Sequence, residues 1–131
     1  MSVYLDNAAT SWPKPEAVYL AVERFMREVG ATPGRGGHWR EEEAARVADE
    51  TRAALAQLFN APGPAGIAFT MNATQAINMA LKGILHPGDH VITSSIEHNA
   101  VWRPLKALER RGVAVTAIPC EPDGAFDPAA V

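Results

Sequence analysis

The chain has 131 residues, with 12 Lys and Arg against 15 Asp and Glu, a formal net charge of -3 and 47% hydrophobic residues. That length supports one domain with a real core, and the acidic balance argues against nucleic acid or an anionic membrane as partner. No apolar run approaches a membrane span, the start lacks the basic and apolar pattern of a secretory signal, and the single cysteine, Cys120, excludes an intrachain disulfide and fits a reducing cytoplasm.

Ser2 to Asp6 reads as a short extended start, and the small residues Asn7 to Ser11 after it suit either close approach to a ligand or an ordinary loop. Trp12-Pro-Lys-Pro15 is a rigid lead into a first helix from about Glu16 to Val29, where Pro15 is tolerated. Val18, Ala21, Val22, Phe25, Met26 and Val29 recur at helical spacing and predict one buried face. Gly30 ends that helix. Ala31 to Gly37, with three glycines and a proline, is a loop that matches neither Gly-rich phosphate fingerprint. A second helix is expected from about Trp39 to Asn60, burying Ala44, Val47, Ala48, Leu55, Leu58 and Phe59 and keeping its charged residues in solvent. Ala61-Pro-Gly-Pro-Ala-Gly66 is a turn cluster, and it sets the expected boundary between segments 1–62 and 63–131.

Gly66 to Thr70 predicts a buried strand. Asn72 then stands as an N-cap, with Gln75 three residues on, before a nearly apolar helix that should be buried. A helix start directly after a strand offers free N–H groups and partial positive charge. Small Ala73 allows close approach there, and Thr74 adds a hydroxyl. The segment is therefore either an anion site or merely a well-capped helix. Leu85 to Asp89 is a turn and His90 to Ser94 a strand. A third helix follows from about Val101 to Arg111, with Leu105 and Leu108 inward and Pro104 in its first turn, and Val113 to Ile118 is another strand. Strands alternating with helices call for an α/β fold with a largely parallel sheet, whose ligands bind beyond the C-terminal strand ends. That puts Asn72 to Thr74 and Glu97-His98 at one rim. His98 there is suited to stacking on a ring, to acid–base work or to a metal, although a lone histidine is more often a structural hydrogen bonder. The four histidines form no metal constellation, and Cys120 lacks a basic neighbour and reads as an inert thiol.

Tyr4-Leu-Asp-Asn-Ala-Ala-Thr10, Pro13-Lys-Pro15, Asn72-Ala-Thr-Gln-Ala-Ile-Asn78, Pro87-Gly-Asp89 and Glu97-His98-Asn99 together resemble the cysteine desulfurases of the class V aminotransferase superfamily, in the family's order and over essentially the whole chain. The resemblance implies the N-terminal part of a fold type I enzyme dependent on pyridoxal 5'-phosphate (PLP): a small-domain start and substrate-side loop in 1–62, and the first part of the PLP-binding domain in 63–131. It implies that Ala73 and Thr74 hold the cofactor phosphate, and that His98 stacks on the pyridine ring and assists proton transfer. Asn7, Ala8, Ala9 and His38 match the substrate side. The implied reaction takes L-cysteine to L-alanine and leaves a persulfide on a mobile enzyme cysteine for iron–sulfur or related assembly, in a cytoplasmic homodimer that hands sulfur to an acceptor protein. No metal, membrane or nucleic acid is implied.

The family's Schiff-base lysine, its pyridinium-pairing aspartate and its mobile cysteine fall beyond the position of Val131, and Lys14, Lys82, Lys106 and Cys120 do not match them. The 131 residues are therefore expected to be an inactive N-terminal piece, with Asp127-Pro128 capping a helix that does not follow. Selenocysteine lyase, another class V activity, or a non-catalytic phosphate-binding α/β module remain the alternatives.

Overall fold

The computed structural model describes residues 3–34 and 36–130; Ser2 of the expected extended start, Arg35 of the glycine-rich loop and the terminal Val131 lie outside the described residues. The chain divides into two compact units, Met1–Ala68 and Phe69–Val131.

In the first unit, α1 (Glu16–Arg24) begins after Pro15, whose ring presets the entry, and carries Glu16 in its first turn. It widens into a π-helical turn, Phe25–Val29, and stops at Gly30. Gly30 takes φ +53° and donates its N–H to the Phe25 carbonyl at 2.9 Å. A Cβ there would stand 3.3 Å from the Met26 carbonyl oxygen, which is why glycine ends the helix. The second helix, α2 (Trp39–Leu58), is studded with same-face ion pairs; Arg46 alone bridges Glu43 and Glu50, each at 2.5 Å. Pro64–Gly66 forms a single 3-10 turn.

The predicted apolar faces of these helices are only partly covered. Val29, Ala44 and Ala56 are buried, whereas Val18, Val22, Met26, Val47, Leu58 and Phe59 are exposed, Leu58 to 73%. Helical spacing states which side chains share a face, but burial needs a second surface, and within this unit that surface reaches only the small residues of α2.

The expected strand at Gly66 to Thr70, which spans the boundary between the first unit and the second, is absent. Ile67 is extended (φ -101°, ψ 112°), but residues 67–70 join no ladder, and Phe69 is half exposed. A strand exists only through its partner, and the sheet formed by the described residues has two strands. These are β1 (His90–Ser94) and β2 (Ala114–Ile118), paired parallel in the register His90 to Ala114 through Ser94 to Ile118. Parallel neighbours need a crossover, and the helix α4 (Asn99–Glu109) supplies it. Helix α3 (Ala73–Ile84) precedes β1 and packs on α4.

Ala100, Pro104, Leu105 and Leu108 of α4 are buried, and with Val113 and Ile118 they form the core of this unit. Leu105 is completely enclosed. Helix α4 starts two residues earlier than its sequence suggests, so Pro104 sits in the second turn, where it leaves the Ala100 carbonyl without its usual helical donor. Gly112, at φ +95°, turns the chain into β2 with the Pro87 Cβ 3.4 Å from where its own Cβ would be. The expectation that α3 is buried does not hold: none of its residues is buried, and Met79 and Ile84 are exposed. It packs on α4 along one side, and among the described residues it has no comparable contact with another element of its unit. No described helix is long and apolar enough to cross a membrane.

Candidate functional site

The start of α3 is built by its cap. Asn72 is extended (φ -168°, ψ 169°), and its Oδ1 accepts from the Gln75 N–H at 2.9 Å. Gln75 Oε1 accepts in return from the Met71 N–H at 2.8 Å, one residue outside the usual capping box. The Asn72 carbonyl receives the first helical bond, from Ala76 at 3.1 Å. This closes the turn while leaving the Ala73 and Thr74 amides without an intrahelical acceptor. No acidic side chain stands in the first turn of α3. Asn78 Nδ2 donates to the Thr74 carbonyl at 2.9 Å, so Asn78 lies against the turn that carries Thr74.

His98 is the N-cap of α4, four residues past the C-terminal end of β1. Its Nδ1 accepts from the Ala100 N–H at 3.0 Å. A ring nitrogen that accepts cannot carry a proton, so this bond selects the neutral tautomer with hydrogen on Nε2.

Thr74, Asn78, His98, Asn99 and Arg103 line one shallow depression of about 250 Å³ where the first turns of α3 and α4 meet. Ala73 is the residue before Thr74 at the same helix start. Glu97, expected at the same rim, is turned elsewhere. It accepts from Ser94 Oγ at 2.8 Å and lines a separate depression with Ile96, Ile118 and Cys120. Cys120 is half-buried, with its N–H on Ser95 Oγ at 3.0 Å. Asn78 and Arg103 escaped the sequence reading. Asn78 was available to it, four residues after Thr74 and so on the same face. Arg103 was not, because its presence depends on α3 and α4 lying side by side.

The remaining predicted residues belong to the first unit. Asn7, Ala8 and Ala9 form an exposed turn closed by Ala9 and Thr10 amides on the Asp6 carbonyl and by Tyr4 Oη donating to the Thr10 carbonyl at 2.9 Å. Asn7 Oδ1 accepts from the Trp12 N–H at 3.1 Å. His38 is the N-cap of α2 and makes no side-chain cap bond. It lines an open depression of about 660 Å³ with Thr32 and Arg40.

Comparison with known proteins gives a consistent picture. Cysteine desulfurase IscS of Dictyoglomus turgidum is 36% identical over 130 residues, covering 96% of this chain and 32% of that protein. The apo structure of the cysteine desulfurase of Thermococcus onnurineus NA1 superposes with a TM-score of 0.79 at 28% identity, over 95% of this chain and 32% of that one. A C-DES mutant with glycine covalently linked to its PLP cofactor shares the fold at 23% identity, with a TM-score of 0.64 over 80% of this chain and 27% of that one. The chain thus spans about a third of the length of the relatives it matches, and its α/β architecture is that of the N-terminal part of these structures. The family model described as aminotransferase class-V matches residues 3–131, and the chain belongs to that family.

Proposed function

We propose that this chain is the N-terminal portion of a PLP-dependent cysteine desulfurase, acting on L-cysteine to give L-alanine and an enzyme-bound persulfide. In this reading residues 1–62 start the small domain with its substrate-side loop, and residues 63–131 open the PLP-binding domain. The complete protein is a cytoplasmic homodimer that passes sulfur to an acceptor protein. The observation that carries the reading is the meeting of the open α3 start and His98 in one depression lined by no carboxylate.

The residues present fit PLP. The free Ala73 and Thr74 amides, the methyl-sized side chain of Ala73 and the partial positive charge of the helix start suit a phosphate dianion. The Thr74 hydroxyl supplies a further donor. When bound, PLP supplies an electron sink for the pair released at the substrate Cα. The part of this chain is to hold and orient. Asn72 and Gln75 keep the α3 turn closed so that its amides stay aimed outward. The Ala100 amide fixes the His98 ring and holds its proton at Nε2, which leaves a planar face for stacking and a positioned donor. Asn7, Ala8, Ala9 and His38 are assigned to the substrate side.

The test is Thr74→Ala in the complete gene product. Loss of one hydrogen bond to a charged group lowers PLP affinity about tenfold or more. Unchanged PLP affinity would refute the phosphate assignment, and absence of alanine release from cysteine by the unsubstituted protein would refute the desulfurase reading.

A further inference from the structure

Arg103 stands in the second turn of α4 and lines the same depression as Thr74, Asn78 and His98. Side chains on a helix lean toward its N-terminus, so a long arginine there reaches back over the first turn. Its guanidinium is the one fixed charge on the lining of this depression. The position is electrostatically uphill: cations are favoured at helix C-termini, whereas here two N-terminal turns, neither with an acidic residue, flank the same space. Arg103 is exposed and, like Arg40, Arg110 and Arg111, has no ion-pair partner among the described residues; of these four it alone lines this depression. An anion in the depression removes this imbalance, and a planar guanidinium suits two oxygens of a phosphate.

We propose that Arg103 is a phosphate-binding residue of this site, reaching the cofactor's phosphate monoester from α4 while Ala73 and Thr74 hold it from α3. The proposal rests on the PLP reading above and adds to it a residue and a discrimination: selectivity for the phosphorylated cofactor over its dephosphorylated form.

The experiment measures binding of PLP and of pyridoxal, which lacks the phosphate, to the complete gene product by absorbance titration. Unsubstituted protein, Arg103→Gln, Arg103→Lys and Thr74→Ala are compared, with circular dichroism confirming the fold. The expected result for Arg103→Gln is PLP affinity lower by roughly tenfold, pyridoxal affinity unchanged and a loss that shrinks as salt is raised. Arg103→Lys keeps the charge without the fork and falls between. An equal loss for PLP and pyridoxal overturns the proposal, since it marks a structural role. So does unchanged PLP affinity with a raised KM for the amino acid, which marks a contact to the substrate carboxylate. Weaker PLP binding in Thr74→Ala with none in Arg103→Gln overturns Arg103 alone. If the unsubstituted protein does not prefer PLP to pyridoxal, the site reading itself falls.

Discussion

Asn72 separates helix stability from phosphate binding, because its side chain serves the first and its position bears on the second. Asn72→Ala removes the 2.9 Å bond to the Gln75 N–H and leaves the Gln75 bond to Met71 in place. The site is exposed, so water takes the freed amide and no desolvation penalty adds to the loss. The cost is therefore about 1 kcal/mol in the stability of the complete gene product. Asn72→Asp keeps the cap and adds a negative charge to a helix start, so stability holds or rises by about 0.3–1 kcal/mol. That same charge opposes a bound phosphate. At roughly 6 Å in water, one unit against a dianion costs about 1.4 kcal/mol, an approximately tenfold loss of PLP affinity. Urea unfolding and PLP titration at low and high salt read the two effects on the same samples. Full PLP affinity in Asn72→Asp at low salt would show that no phosphate sits at the start of α3. Unchanged stability in Asn72→Ala would show that the cap contributes nothing.

Leu105→Ala opens a cavity beneath α4 where the side chain is wholly enclosed, and should destabilise by about 2–5 kcal/mol; a urea midpoint within error of the parent would refute its place at the centre of the core. The hydrogen bonds donated by Arg46 hold the Glu43 carboxyl below its ordinary value of 4.5. A depressed carboxylate stabilises above its unfolded pKa and loses that contribution as pH falls through the folded one, so helix content should decline below about 4.5 with Glu43 contributing, and Glu43→Gln should flatten that acid limb. An acid limb identical in parent and variant would show that the pair contributes no measurable pH dependence, as holds for many exposed pairs.

Local chemistry was legible wherever a residue acts on its immediate neighbours. Asn72 and Gln75 announce the α3 start, Gly30 and Gly112 announce chain reversals, and the short runs from His90 to Ser94 and from Val113 to Ile118 read as strands. The cap and the two reversals depend on contacts within a few residues or on one backbone angle. Burial was read less well. Leu58, Met79 and the apolar face of α1 have the spacing of core residues and lie exposed, because spacing cannot supply the surface that covers them. The strand expected before Asn72 failed for the same reason: residues 67–70 have the composition but join no ladder among the described residues.

The candidate site divides along the same line. Ala73, Thr74 and His98 could be picked out from the chain, since a helix start and a histidine after a strand carry their chemistry locally, and the motif order pointed to the family that the match over residues 3–131 then showed. Only the tertiary structure decided that Thr74 and His98 share a depression while Glu97 turns to Ser94, and that Asn78 and Arg103 join them. Those facts follow from how α3 lies on α4. That packing is a tertiary contact between two helices, an arrangement that no single stretch of the sequence encodes.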